Sequence, residues 1–224
     1  MLKNKVIVSV QAMPSEPLYK EDCINAMMQS VVTGGAEGLR VAGARDVKNA
    51  KSLFDIPVIG ITKPDKLPEN WQEVVYITPS VDDVKALADA GADIIAFDGT
   101  TRRRDKSSLR EIILAIKSAN KLAMADISTY DEGMACERLG VDILSTTLSG
   151  YTSYTLTDSD EPDFDLLLRL VKNTQLPIIL EGKIWEPSQV KKAFELGAHC
   201  VVIGSAITRP QLITKRFIES LIVK

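Results

Sequence analysis

Apolar residues recur along the chain as short continuous runs separated by longer amphipathic segments. One set of runs follows a glycine and a small or acidic residue, within residues 34–41, 90–98, 139–147 and 196–204. The second set lacks this glycine and occupies residues 5–10, 57–61, 121–127 and 177–182. The two sets alternate, and uninterrupted apolar runs are typical of parallel strands that are covered on both faces. The pattern predicts eight short parallel strands.

The segments between these runs have the spacing of amphipathic helices. The predicted helices are residues 21–33, 46–54, 81–90, 107–119, 131–139, 163–173, 187–196 and 210–222. Ser80 is the predicted N-cap of the third helix, and residues 158–162 are the predicted start of the sixth. The glycine before each run of the first set fits a left-handed position at the end of the preceding helix.

Strand and helix alternate throughout, with a fourfold internal pattern. This arrangement predicts a single (βα)8 barrel, an α/β fold with a parallel eight-stranded core, over residues 1–224. An open dinucleotide-binding sheet is disfavoured, because no G-x-G-x-x-G motif follows the first strand.

Composition and charge narrow the class of protein. Hydrophobic residues make up 45% of the chain, and no apolar run reaches the length of a membrane span. The first residues lack the apolar segment of a secretory signal, so we expect a cytoplasmic protein with no membrane partner. The net charge of −3 disfavours nucleic acid as a partner, and the run Arg102–Arg104 is interpreted as a solvated face or the rim of an anion site.

Cysteine and histidine give no support to a metal site. Cys23, Cys136 and Cys200 lie far apart without metal-ligand spacing, and we expect them to be reduced thiols. His199, the one histidine, is interpreted as a structural residue in or beside a strand. We therefore predict no metal ligands.

Ionisable and polar residues stand at the ends of the predicted strands. In a (βα)8 barrel these carboxyl ends carry the active site, so they are the candidate functional residues. They are Gln11, Arg40, Lys63, Asp98, Asp126, Thr146 or Thr147, Glu181, and the pair Gly204 and Ser205. Taken singly, each has an ordinary structural explanation: an Asp can cap a helix, and Lys63 can lie in a solvated loop. Their convergence on one opening favours function.

The loops after the last two strands have the features of a phosphate site. Gly182 directly follows one strand, and Gly204-Ser205 follows the next, before a short helical turn that leads to Arg209. Such loops, with the N-terminus of a small extra helix, form the usual phosphate site of this architecture, and Lys183 and Arg209 add positive charge. Tight turns alone are the alternative explanation for the glycines.

The loop after the sixth strand, "TLSGYTSYTLTDSDEPD", is long for this position and rich in Ser, Thr and Tyr. We interpret it either as a mobile lid, with Tyr151 or Tyr154 closing over a sugar, or as a solvated excursion.

Several of these segments together resemble one family. "IVSVQA", "GLRVAG", "PVIGITK", "ADIIAFDGTTRRR", "MADIST", "TTLSGYTSYT", "LEGKI" and "VVIGSAITRPQLITKRF" occur in the order found in the N-acetylmannosamine-6-phosphate 2-epimerases of sialic acid catabolism. The resemblance implies a (βα)8 barrel, commonly a homodimer, that interconverts N-acetylmannosamine 6-phosphate and N-acetylglucosamine 6-phosphate without a cofactor. It matches Lys63 and Glu181 to the catalytic pair. It matches the family's other site residues to Gln11, Arg40 and Asp126 for the sugar, and to Gly182, Gly204 and Arg209 for the phosphate.

The chain departs from the family pattern at four of the matched positions. Val41 stands where relatives usually have Ala, Pro64 where they often have Arg, Gly99 where they have Ala, and Lys183 where they often have Arg.

The chemistry of inversion at C2 explains why an amine and a carboxyl group are needed. A base must remove a carbon-bound proton, and a second group must serve the sugar oxygens. Lysine is such a base only when partly neutral, a state favoured by burial and by a cation such as Arg40. Glu181 fits a proton shuttle if the barrel mouth raises its pKa. A Schiff-base aldolase and a non-catalytic sugar-phosphate-binding barrel are the alternatives.

Overall fold

The computed structural model describes residues 2–221 and contains a closed barrel in which neighbouring strands are parallel. The strands are β1 (Lys5–Val10), β2 (Leu39–Ala42), β3 (Val58–Ile61), β4 (Ile94–Asp98), β5 (Leu122–Asp126), β6 (Ile143–Ser145), β7 (Ile178–Glu181) and β8 (Cys200–Ile203). The helices are α1 (Glu21–Thr33), α2 (Ala44–Leu53), α3 (Val81–Asp89), α4 (Leu109–Ser118), α5 (Tyr130–Arg138), α6 (Phe164–Asn173), α7 (Pro187–Glu195), α8 (Ser205–Thr208) and α9 (Pro210–Glu219). The predicted barrel is confirmed.

Most predicted helix ends lie within two residues of the observed ends, because capping residues and glycines stand at many of them. Ser80 accepts a hydrogen bond from the Asp83 N–H as the N-cap of α3, as predicted. The sixth helix was predicted over residues 163–173 and begins one residue later, at Phe164. The start signal assigned to residues 158–162 is wrong, because the N-cap is Asp163, whose carboxylate accepts the N–H of Leu166 at 2.9 Å. Gly91 and Gly197 have φ angles of 96° and 97°, which confirms the predicted left-handed helix ends.

Side chains alternate between the inside and the outside of the barrel along each strand. In β4, Ile94 and Ala96 pack inside the barrel, whereas Ile95 and Phe97 pack under the helices. Because both faces are covered, the strands read as continuous apolar runs in the sequence. The alternation also decides which residue at each strand end faces the barrel mouth.

No helix among residues 2–221 is long and apolar enough to cross a membrane.

Gly99, one of the departures from the family pattern, lies just after β4 against the outer core. A Cβ atom at this position would lie 3.0 Å from Ala125 Cβ, Cys136 Sγ and Ile127 Cγ2. These atoms belong to buried side chains at the interface of β5 and α5. The core of this chain is therefore closed around a glycine at this position.

We expect Gly99→Ala to lower the free energy of unfolding by about 1–3 kcal/mol, because the added methyl group overpacks this contact. Urea denaturation checks the prediction. In a Cys136→Ala background the cost should be smaller, since the sulfur atom that blocks the methyl group is gone. Equal stability of Gly99→Ala and the parent protein would contradict the packing argument.

Candidate active site

The inward-facing row of each strand becomes polar at the carboxyl end of the barrel. Asp126 and Glu181 are the inward positions at the ends of β5 and β7, and Lys63 lies two residues beyond the end of β3. Arg40 was expected at a strand end but is the second residue of β2, which continues to Ala42. Thr147, and not Thr146, is the inward residue after β6, which resolves the alternative left open by the sequence. The apolar floor beneath them includes Ile59, Met124 and Ile179.

A cavity of about 270 Å³ opens at this end of the barrel. Ten of its lining residues were candidates from the sequence: Gln11, Lys63, Thr147, Tyr151, Glu181, Gly182, Lys183, Gly204, Ser205 and Arg209. The structure therefore brings together the predicted catalytic pair and the predicted phosphate loops in one space.

Lys63 contributes an amine to the cavity wall. The residue is half-buried, and its Nζ makes no hydrogen bond or ion pair within residues 2–221. Burial, together with the positive charges of Arg40 and Arg209, lowers the pKa of Lys63 to about 8. A measurable fraction of the amine is consequently neutral near pH 7, as the sequence argument required.

Glu181 faces the same cavity from the end of β7. Burial raises the pKa of Glu181 to about 7, although the nearby positive charge of Arg40 opposes the shift. The carboxyl group therefore exists in comparable amounts as acid and carboxylate at neutral pH. A partly neutral amine and a partly protonated carboxyl group in one cavity form a potential base and acid.

Arg40 and Asp126 lie beneath the cavity and do not line it. Their side chains are 1% and 0% exposed and form a bidentate ion pair, with Arg40 Nη1 3.0 Å and Nη2 2.6 Å from the Asp126 oxygens. Arg40 Nη1 also donates to Glu181 Oε2 at 2.9 Å. Arg40 therefore holds Glu181, and Asp126 holds Arg40. Neither side chain lines the cavity, so a direct contact of Arg40 or Asp126 with the sugar stays a prediction.

The loops after β7 and β8 form the opposite wall. Gly182 has a φ angle of 107°, and Gly204 precedes the short helix α8, whose start has no side-chain cap. The first N–H groups of a helix lack intrahelical acceptors, so they are available to an anion at this wall. Arg209 lies beside them, and its Nη2 is 3.1 Å from Glu16 Oε2.

Lys183 and Tyr151 connect this wall to the long loop after β6. Lys183 Nζ donates to the carbonyl oxygen of Ser159 at 2.7 Å and lies 5.7 Å from the centre of the Tyr151 ring. The sequence left open whether Tyr151 or Tyr154 faces the site, and Tyr151 is the one that lines the cavity. Tyr154 does not: its hydroxyl group donates to Glu132 behind the loop.

Two further expectations about charged residues are corrected. Asp98 does not line the main cavity, because Arg102 covers it with an ion pair and Thr100 donates to it. Of the run Arg102–Arg104, only Arg103 is mostly exposed, at 74% of its side chain, so the run is not a solvated face. Arg102 is enclosed and donates to the Trp71 carbonyl oxygen at 2.8 Å.

Sequence reasoning missed several residues of the cavity. Ser9 lies two positions before Gln11 on the same inward row and accepts a hydrogen bond from Gln11 Nε2 at 2.7 Å. The alternation of β1 could have revealed it. Tyr76 and Trp185 reach the cavity from loops, and no spacing rule in the sequence signals their direction. Glu16 does not line the cavity but binds Arg209, which does, and it was missed for the same reason.

His199 lies at the opposite end of the barrel, where its carbonyl oxygen accepts the N–H of Asn4 at 2.7 Å. This position agrees with its interpretation as a structural residue. Among residues 2–221 no group of His, Cys, Asp and Glu side chains has the arrangement of a metal site.

These features place the chain in the class of (βα)8-barrel enzymes, which carry their chemistry at the carboxyl ends of the strands. Comparison with known proteins narrows the class. Residues 24–222 match a family model described as "Putative N-acetylmannosamine-6-phosphate epimerase". The chain belongs to this family, as the resemblance in sequence predicted.

Curated relatives support the assignment over nearly the whole chain. A protein from Clostridioides difficile is 45% identical over 98% of this chain and 97% of its own length, and one from Clostridium perfringens is 42% identical over 99% and 98%. Both carry the name "Putative N-acetylmannosamine-6-phosphate 2-epimerase".

Comparison with solved structures supports the same family assignment. The N-acetylmannosamine-6-phosphate 2-epimerase from Clostridium perfringens superposes with a TM-score of 0.91 at 41% identity, covering 98% of this chain and 94% of that one. A thiamine phosphate pyrophosphorylase from Pyrococcus furiosus, with a TM-score of 0.61 and 15% identity over 98% of this chain and 97% of its own, shares the fold alone.

Proposed function

We propose that this protein interconverts N-acetylmannosamine 6-phosphate and N-acetylglucosamine 6-phosphate by exchanging the proton on C2, as a step in the breakdown of sialic acid and related amino sugars. Family membership supports the substrate. The main support for the mechanism is that Lys63 and Glu181 line the same cavity, and that the Lys63 amine has no hydrogen-bond or ion-pair partner within residues 2–221. Binding alone would not need a base and an acid with pKa values near neutrality.

Lys63 is the base in this mechanism. In the ring-opened sugar, C2 lies next to the aldehyde, and removal of its proton leaves an enolate whose negative charge resides largely on the C1 oxygen. Neutral Lys63 takes the proton and becomes an ammonium ion. The planar intermediate then rotates about its C2–C3 bond and turns its other face to Lys63, and the ammonium ion returns a proton to that face of C2. With its pKa at about 8, the amine can both accept and return a proton near neutral pH.

Glu181 is the acid that serves the sugar oxygens. In its protonated form it donates to the C1 oxygen as charge develops there, and it recovers the proton when the aldehyde re-forms. The same exchange assists opening and closing of the ring. Its pKa of about 7 keeps both forms populated.

Gln11 and Tyr151 are proposed to hold the sugar. Gln11 Nε2 donates to Ser9, and Gln11 Oε1 is buried without a hydrogen-bond partner within residues 2–221. A sugar hydroxyl group or the N–H of the acetamido group would supply the missing donor. Tyr151 borders the cavity from the loop after β6, so it limits the space above the sugar.

The phosphate group is proposed to bind at the wall formed by Gly182, Lys183, Gly204, Ser205 and Arg209. The uncapped start of α8 supplies N–H groups, and Gly182 and Gly204 allow close approach of the backbone. Arg209 adds a charge-assisted contact, and Lys183 must leave the Ser159 carbonyl oxygen to reach the phosphate. Binding at this end fixes C2 relative to Lys63.

We further propose a homodimer that works in the cytoplasm. Helix α9 has no buried residue, and Phe217 and Ile218 on it are 72% and 57% exposed. Large apolar side chains exposed on one helix are typical of an interface, and a second copy of the chain is the partner that the family implies. Cys23, Cys136 and Cys200 are free thiols, which fits a reducing compartment.

The reaction is tested by a proton NMR time course with each of the two sugar phosphates and no added cofactor. The wild-type protein should produce the other epimer and incorporate deuterium at C2 in deuterated water. Lys63→Ala should slow both processes by about 10²–10⁴-fold, because the base is gone. Lys66→Ala is the matched control, since Lys66 is exposed and should be dispensable. Undiminished deuterium uptake in Lys63→Ala would remove this residue from the mechanism, and a borohydride-trapped adduct on Lys63 would support the aldolase instead.

The phosphate site is tested by Arg209→Met. Loss of a charge-assisted contact worth about 1.5–3 kcal/mol should raise KM for the 6-phosphate about 10- to 100-fold, with a smaller effect on kcat. Turnover of the unphosphorylated sugar should fall much less, through the loss of the Arg209 charge that helps to lower the pKa of Lys63. Arg103→Met, which removes an exposed arginine outside the cavity, is the control. An equal loss on both substrates would show that Arg209 acts on the sugar or on the fold.

The dimer is tested by analytical ultracentrifugation. Phe217→Glu should shift the protein toward monomer, because a carboxylate at an apolar contact is costly to bury. Leu114→Glu, at an exposed position on α4, should leave the sedimentation coefficient unchanged. A wild-type protein that sediments as a monomer at all concentrations would rule the dimer out.

A further inference from the structure

Thr147 lines the cavity and lies between the carboxyl groups of Asp126 and Glu181, and the proposed mechanism gives it no role. Its Oγ1 atom has three oxygen neighbours. Ser145 Oγ is 2.7 Å away, Asp126 Oδ1 is 2.8 Å away and Glu181 Oε2 is 3.1 Å away. Arg40 Nη1 contacts the same two carboxyl oxygens, so the guanidinium and the hydroxyl group bridge them together.

The directions of these hydrogen bonds follow from counting hydrogens. A hydroxyl group has one hydrogen to donate and two lone pairs that accept. Ser145 is fully buried, and Thr147 is the hydrogen-bond partner found for its hydroxyl group in the part of the chain that the structure describes. Ser145 therefore donates to Thr147, and the Thr147 hydrogen must go to one of the two carboxyl groups.

Asp126 is the acceptor of that hydrogen. It is nearer to Thr147 than Glu181 is, and its bidentate pair with Arg40 stabilises it as a carboxylate. A lone pair of Thr147 then faces Glu181 Oε2. This contact is repulsive if Glu181 is ionised, and it is a hydrogen bond if Glu181 carries a proton on Oε2.

We propose that Thr147 is a positioning residue that holds Glu181 in its protonated form, by accepting the Glu181 proton while donating its own to Asp126. This inference rests on the proposed function, in which Glu181 is the acid. It explains how the acid form is retained next to Arg40, a cation that would otherwise favour the carboxylate. Burial, which raises the pKa of Glu181, acts in the same direction, whereas a Thr147 hydroxyl group that donated to Glu181 would lower that pKa. The hydrogen count at Ser145 and Thr147 favours the first arrangement over the second.

Other charged and titratable groups also face Glu181 and contribute to its pKa in the wild-type protein. They are Arg40 on β2, Lys63 after β3, Asp126 on β5, Tyr151 in the loop after β6 and Cys200 on β8. The positive groups favour the carboxylate form of Glu181, and Asp126 favours its acid form. A substitution at Thr147 that keeps its volume leaves all of these in place.

The test is the pH dependence of kcat/KM for Thr147→Val, a replacement of similar size without the hydroxyl group. The active form has neutral Lys63 and protonated Glu181, so the wild-type profile should be bell-shaped. Its lower apparent pKa belongs mainly to Glu181 and its upper one mainly to Lys63. Without its acceptor the Glu181 proton is held less tightly. The lower apparent pKa should fall by about one unit, and the maximal kcat/KM by about tenfold.

Thr147→Ser retains the hydroxyl group and should restore the wild-type profile. A rise of the lower apparent pKa in Thr147→Val would mean that Thr147 donates to the Glu181 carboxylate, and this overturns the proposal. A loss of activity with an unshifted profile also overturns it, since that is the result of a structural role alone. If the wild-type protein does not epimerise the sugar phosphate, the proposed function fails first, so the two failures are distinguishable.

A second measurement does not depend on the folding of Thr147→Val. Infrared difference spectra of the wild-type protein at pH 6 should contain the carbonyl band of a protonated carboxylic acid that is absent from Glu181→Gln. In Thr147→Ser this band should persist. Its absence from the wild-type protein would overturn the proposal.

Discussion

The guanidinium group of Arg40, buried inside the barrel, compensates two carboxyl groups at once. Its planar fork meets Asp126 with two hydrogen bonds and Glu181 with a third. Removing an ion from water into a protein interior costs several kcal/mol unless charge and hydrogen bonds are restored. One cation satisfies Asp126 fully and Glu181 only in part, and this imbalance leaves Glu181 as the carboxyl group that can take up a proton. The same charge lowers the pKa of Lys63. The ionisation states of both proposed catalytic groups thus depend on one side chain that does not reach the cavity.

Much of the architecture could be predicted because it follows from two periodicities. Continuous apolar runs identify strands that are covered on both faces. Four of the eight strands follow a glycine that marks the end of the preceding helix, and these glycines have positive φ angles in the structure. The ends of the strands then give the site, since parallel strands in a barrel deliver their carboxyl ends to one face. Lys63 illustrates the step. Taken alone it reads as a solvated lysine, but its place two residues past β3 on the inward row puts its amine in the cavity. Ser9 and Thr147 follow from the same rule.

The remainder depends on contacts between segments distant in sequence. Asp98 ends β4 just as Asp126 ends β5. Asp98 nevertheless does not line the cavity, because Arg102 in the following loop covers it with an ion pair. Nothing in the local sequence states that this arginine points inward while Arg103 points to solvent. Tyr151 and Tyr154 are three residues apart in one loop, and only the packing of Tyr154 against Glu132 decides which of them borders the cavity. The positions of loop side chains depend on tertiary contacts. Such contacts leave no periodic pattern in the sequence from which they could be predicted.

The positions at which the chain departs from its family have a consistent location. Val41 and Gly99 face away from the barrel interior and pack under the helices, so each affects the fit of the outer core. Pro64 and Lys183 lie in loops at the mouth. None of the four is on the inward polar row that holds Arg40, Asp126 and Glu181. Lys183 joins the loop after β7 to the carbonyl oxygen of Ser159 in the loop after β6, so it helps to hold those two loops together. An ammonium group makes this contact as a point charge with three donors, whereas a guanidinium group could bind a carbonyl oxygen and a phosphate group at the same time. Lys183 therefore affects how the cavity wall and the covering loop are held, whereas the buried contacts of Arg40 with Asp126 and Glu181 involve none of these four positions.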